Sequence, residues 1–231
     1  MGISGSNRNG DPGAAKACSI GVFGGTFDPI HHGHLRIALD ALETLRLQQV
    51  RFVPLAQAVH REQPDAPADL RLQMLQAALD GRQDLIADDR ELQRKGPSYT
   101  IDTLRSLRED FPEARLCLLL GDDAFGGFAA WRNPRGILGL ANIAVLRRPN
   151  QASPSDPALA ELLAEHWVKD LAGDRPGQIV FCSVTQLDIA SSDIRQRIAS
   201  GRSADFLAPP AVLELIAQYG LYCVKTPADG L

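Results

Sequence analysis

The chain has 231 residues, 45% hydrophobic and 23% charged, which is enough for one globular domain with a sizeable core. Its formal net charge of −4 disfavours a nucleic-acid binder with a broad basic surface, while leaving room for a local basic pocket. No apolar run approaches the ~20 residues of a membrane span and nothing reads as a signal peptide, so a cytoplasmic protein with no membrane partner is expected.

Residues 1–17, rich in Gly, Ser and Asn and without periodicity, are expected to be a disordered tail ahead of a single domain over 18–225. The run 18–23 is short, apolar and closed by glycines, which predicts a buried strand, and 35–47 carries apolar residues at helical spacing. A strand at 50–53 closed by Pro54, a helix at 69–79 capped by Asp69, and a short strand at 85–87 follow. Next come a helix at 99–107 and strongly apolar strands at 115–120, 143–146 and 179–181. Helices are expected at 157–171, 191–199 and 210–219, with a surface loop at 150–156. Strands alternating with helices make an α/β protein, a Rossmann-like parallel sheet with helices on both faces. Ligands in such sheets bind beyond the carboxyl ends of the strands. The four cysteines form no CxxC pair, and Cys18, Cys117 and Cys182 lie in apolar runs, so they read as small core residues rather than a zinc or redox site.

The run GGTFDPIHHGH, from Gly24 to His34, stands between the first strand and the first helix, where a phosphate site belongs. Gly24 and Gly25 let the backbone approach a ligand and expose its N–H groups. His31 and His34, three apart at a helix start, share one face, and the positive helix terminus favours an anion there. The pair lacks a third nearby ligand for zinc, so no protein-held metal is expected. A second run, IASSDIR, spans Ile189 to Arg195. Ser191 or Ser192 can cap the next helix or hold phosphate oxygens, and Arg195 projects to the same side.

The first run resembles the T/H-x-G-H signature of the nucleotidylyltransferase superfamily, with its two histidines at His31 and His34. The second resembles the ISSTxIR signature, with Ala190 for the first Ser and Ser192 for the Thr. The resemblance implies ATP as one substrate, Mg²⁺ accompanying it, no covalent intermediate, and histidines that stabilise charge developing on the α-phosphate.

Two more segments, and two shorter ones, narrow the resemblance. DRELQRKGPSYT from Asp89, GDDAFGGFAAWRNP from Gly121, RRP at Arg147 and the closing GLY at Gly220 are similar to bacterial nicotinate-nucleotide adenylyltransferases. That family implies nicotinate mononucleotide as the second substrate. ATP would then meet Gly24, Gly25, His31, His34, Gly121, Asp123, Ser191, Ser192 and Arg195, with Asp122 an alternative to Asp123 at the ribose. The mononucleotide would meet Thr26, Phe27, His60, Arg61, Thr100, Trp131 and Arg132. Trp131 offers a stacking platform for a flat pyridine ring, and the N–H groups of Thr100 and Arg132 offer donors to its carboxylate. The run from Leu55 to Val59 departs from the family, lacking its Asn and Pro residues, and Arg61 is either a phosphate ligand or a solvated loop charge. A cytidylyl- or pantetheine-phosphate transferase on the same fold, and a non-catalytic nucleotide-binding regulator, are the rival readings. A homo-oligomer stays open.

Overall fold

The computed structural model describes residues 18–57, 63–147, 156–173 and 175–223. The stretch 1–17, most of the 150–156 loop, and the candidates His60 and Arg61 lie outside these residues. Six parallel strands, β1 (Ser19–Gly25), β2 (Gln49–Pro54), β3 (Leu85–Ala87), β4 (Arg115–Gly121), β5 (Asn142–Arg147) and β6 (Ile179–Ser183), form one sheet in the order β3-β2-β1-β4-β5-β6. All six fall where the apolar runs predicted them.

Nine α-helices stand among the described residues: α1 (His32–Thr44), α2 (Ala68–Leu79), α3 (Arg90–Gln93), α4 (Thr100–Asp110), α5 (Asp122–Gly126), α6 (Pro134–Leu140), α7 (Pro157–His166), α8 (Ser191–Ala199) and α9 (Pro210–Gln218). Their apolar stripes cover both faces of the sheet, and the period-2 alternation of the strands decides which residue meets which layer. Leu116, Leu118 and Leu120 of β4 join a core with α4, α5, α6 and α7, while Cys117 and Leu119 face the opposite core with α1, α2, α8 and α9. No helix among the described residues is long and apolar enough to cross a membrane.

Some details differ from expectation. Asp69 lies within the first turn of α2, whose N-cap is Pro67 without a side-chain bond. α7 stops at His166, not at residue 171, because Trp167 pairs with Ile179 and the Val168 N–H donates to the Ile179 carbonyl, drawing the chain onto the sheet edge. Cys117 and Cys182 are core residues as expected, whereas Cys18 is only half-buried.

The chain leaves β1 toward β2 and β3, then returns to place β4 on the other side of β1. The reversal opens a crevice at the carboxyl ends of β1 and β4. The loop after β1 enters α1 there, and the stretch after β4 enters α5.

Candidate active site

Two cavities occupy the crevice. The larger, about 380 Å³, is lined by Gly24, Gly25 and Thr26 on the β1 side, Ser98, Tyr99 and Thr100 at the start of α4, and Asp123, Trp131 and Arg132 beyond β4. The smaller, about 300 Å³, lies between Phe23, Ile37, Gly121, Asp122, Asp123, Leu146 and Gln186. Asp123 lines both and marks their seam.

The loop from Thr26 to His31 is held from several directions. Phe27, with φ of 49°, tucks its ring into the core against Phe23, Phe52 and His34. Only glycine fits beneath that ring, since a Cβ on Gly25 would come within 2.8 Å of Phe27 Cζ. Phe27 was a candidate for the mononucleotide; its ring, 2% exposed, lies in the core, so a contact from this residue would come from its backbone. The Asp28 carboxylate, 3% exposed, accepts from the Asp65 N–H (2.8 Å), the Ala66 N–H (3.1 Å) and the Tyr222 hydroxyl (2.7 Å). Burial, then this bond to Asp28, pushes the Tyr222 phenol far above its usual range. Arg71, 1% exposed, donates to the carbonyls of Thr26 (2.8 Å), Leu55 (2.8 Å) and Ala66 (3.2 Å). Sequence reading missed Asp28, Arg71 and Tyr222; the Asp-Pro turn and the terminal GLY were the only local hints.

The two histidines meet as expected. His31 is the N-cap of α1 and its Nδ1 accepts from the His34 N–H at 3.4 Å, which places its ring proton on Nε2. The rings stack with centroids 3.7 Å apart. Gly33 permits the stack: a Cβ there would meet His31 Nδ1 at 3.0 Å. Burial, and secondarily His32, pull the His31 imidazole down to about 4; burial, and secondarily His31, hold His34 well below its usual value. Both rings are therefore neutral at pH 7, each with one N–H to donate, and His34 Nδ1 is buried with no hydrogen-bond partner.

The second motif differs in detail. Ala190, not a serine, is the N-cap of α8, and the Ser191 hydroxyl donates to the Pro29 carbonyl at 2.9 Å, tying α8 to the phosphate loop. Ser192 is exposed at the same helix start. Arg195 Nη1 donates to the Asp28 carbonyl at 2.9 Å and Nε pairs with Asp65. A guanidinium has five N–H donors, so these bonds fix its plane and leave others for a phosphate.

On the far side, Trp131 is half-buried, edge-on to Phe128 at 5.6 Å, and still lines the larger cavity. The Arg132 side chain turns over the Tyr99 ring at 4.5 Å and lies 3.7 Å from Asp102, 59% exposed. Asp122 accepts from Arg147 Nε at 2.8 Å while its Oδ2 is buried without a partner, whereas Asp123 is exposed at the seam. Both carboxylates line the smaller cavity, and the geometry leaves the expected ribose role open to either.

A glycine-bearing loop at a sheet reversal, with paired histidines at a helix start and two adjoining cavities, fits a nucleotidyl-transferring class of protein. Residues 22–197 match the family described as Cytidylyltransferase-like. A probable nicotinate-nucleotide adenylyltransferase of Methylococcus capsulatus is 46% identical over 207 residues, covering 88% of this chain and 99% of that protein. A probable enzyme of the same name from Hydrogenovibrio crunogenus is 42% identical over 203 residues, covering 88% of this chain and 97% of that one. Within that wider family, this chain belongs to the nicotinate-nucleotide adenylyltransferases. The same fold is seen in the solved Plasmodium falciparum nicotinic acid mononucleotide adenylyltransferase complexed with NaAD, at a TM-score of 0.67 and 18% identity over 89% of this chain and 97% of that one.

Proposed function

We propose that the chain transfers the adenylyl group of ATP to nicotinate mononucleotide, releasing pyrophosphate and forming nicotinate adenine dinucleotide for NAD synthesis. The observation that carries this reading is the pair of cavities meeting at Asp123, the larger of them lined by Gly24, Gly25 and Thr26 of the loop that leads into the stacked histidines. Adenosine fits the smaller cavity, with Gly121 and Asp123 or Asp122 at its ribose. The nicotinate ring fits the larger one against Trp131, with its carboxylate at the N–H groups of Thr100 and Arg132 and the positive end of α4. Gly24, Gly25 and Thr26 border this cavity too, which puts them near the junction of the two nucleotides.

A phosphate oxygen of the mononucleotide attacks the α-phosphorus of ATP in line. A new P–O bond forms, the bond from the α-phosphorus to the bridging oxygen breaks, and pyrophosphate leaves with that electron pair. Attack brings two anions together, so N–H donors of His31 and His34 aimed at the developing charge favour the transition state over the bound substrates. The approaching polyanion also raises the pKa of both imidazoles. Arg195, Ser191 and Ser192, at the start of α8, hold the phosphates of ATP. Mg²⁺ would come to the site on the phosphates of ATP, where it would neutralise their charge. Substrates of this kind go with a cytoplasmic location.

The test is pyrophosphate release from ATP and Mg²⁺ with a panel of mononucleotides. The acid is expected to exceed the amide by at least ~10²-fold in kcat/KM, because an amide sets its NH₂ against fixed donors. Equal use of the amide would end the substrate assignment; CTP outperforming ATP would move the chain to the cytidylyl branch.

A further inference from the structure

The larger cavity contains a carboxylate that the proposed chemistry does not call for. Glu91 lines it, 8% exposed, beside the first turn of α4. A fixed negative charge there opposes a ring carboxylate and competes with it for the positive helix end. Two neighbours answer it. The Thr103 hydroxyl, on a residue 2% exposed, donates to Glu91 Oε1. Arg94 Nη2 donates to Thr103 Oγ1 at 2.6 Å and lies 3.8 Å from Glu91 Oε1. The nearby rim charges are otherwise engaged, with Arg105 3.1 Å and Arg132 3.7 Å from Asp102. Arg94 is thus the cation paired with Glu91, yet it is not among the residues lining the cavity.

We infer that Arg94 is a positioning residue that sets the preference for the acid, acting through Thr103 and Glu91. By cancelling the Glu91 charge it leaves the start of α4 free to hold a ring carboxylate. Without it, the unanswered Glu91 charge repels that carboxylate, which penalises the acid while sparing the neutral amide. The inference rests on the nicotinate mononucleotide reading proposed above.

The experiment compares kcat/KM for nicotinate mononucleotide and its amide at one ATP and Mg²⁺ concentration. The variants are Arg94→Gln, Arg94→Lys, Glu91→Gln and the double Arg94→Gln/Glu91→Gln. The acid-to-amide ratio should fall about tenfold in Arg94→Gln, the scale of one unit charge several ångströms away in a partly buried site. Arg94→Lys should keep most of the ratio, Glu91→Gln should raise it, and the double variant should restore it. A ratio unchanged in Arg94→Gln, with both substrates losing equally, overturns the inference and leaves Arg94 a fold-supporting residue. If Arg94→Gln does not fold, a ratio that fails to rise in Glu91→Gln overturns it. A wild-type chain that does not use nicotinate mononucleotide removes the reading and the inference together.

Discussion

On one side of the crevice, the loop between β1 and α1 is held by partners from four other parts of the chain. Asp28 takes bonds from Asp65, Ala66 and Tyr222, Arg71 gathers three carbonyls, and Arg195 and Ser191 of α8 bond its backbone. On the other side, the rim around Trp131 and Arg132 rests on ring contacts and on an ion pair whose side chains are 59% and 36% exposed. On the proposed reading, the polar groups that would meet developing charge must not reorganise, which suits the buried and over-determined half. The half that would admit a flat ring is braced mainly by ring contacts. Substitutions should therefore cost most on the phosphate side and least at the rim.

The largest effect should come from the histidines. His31→Ala and His34→Ala should each lower kcat by roughly 10²–10³-fold with little change in KM, the cost of one donor at an oxyanion. Wild-type turnover in both would break the comparison at its strongest point. Next comes the cost of keeping them neutral. The folded-state value of His31 is depressed to about 4 from 6.5. Between these values the unfolded chain binds a proton that the folded chain refuses, so stability is highest above pH 6.5 and falls as pH drops toward 4, by about 3 kcal/mol from this residue. His34 adds loss of the same sign. Melting curves from pH 7 to 4 should be flatter for His31→Gln than for the wild type; equal slopes would show that the imidazole is not the source.

Arg195→Ala should weaken ATP binding about 10- to 100-fold, a charge-assisted contact of roughly 1.5–3 kcal/mol. Because Arg195 also bonds Asp28 and Asp65, a fall in melting temperature is expected as well. Unchanged ATP affinity alongside that fall would make it a loop brace only. Arg132→Ala should be the mildest, below about threefold in kcat/KM for the mononucleotide, since its exposed side chain is held over Tyr99 and on the proposed reading only its N–H meets the ring carboxylate. A tenfold loss would mean that the side chain swings inward.

The same division governs what could be read in advance. The six strands, the six longer helices and the loop between β1 and α1 all announced themselves through apolar period and local residue type. α3, α5 and α6 did not, being too short to show a period. α6, for example, starts from a left-handed Asn133 whose side chain accepts from Gly136. The histidine pair was legible because its partners are three residues apart. Asp28 was not, because its partners lie 37, 38 and 194 residues away and no local pattern encodes such pairings. Ser191 was misread as a cap for the same reason: its acceptor, Pro29, is 162 residues distant.

The bond from Tyr222 to Asp28 sets a timetable for the chain. Asp28 leaves the ribosome 194 residues before Tyr222, so the loop between β1 and α1 waits, unfinished, while those residues are made. A protease that trims back past Tyr222 would return the loop to that earlier state, with Asp28 keeping its bonds from Asp65 and Ala66 and losing the third.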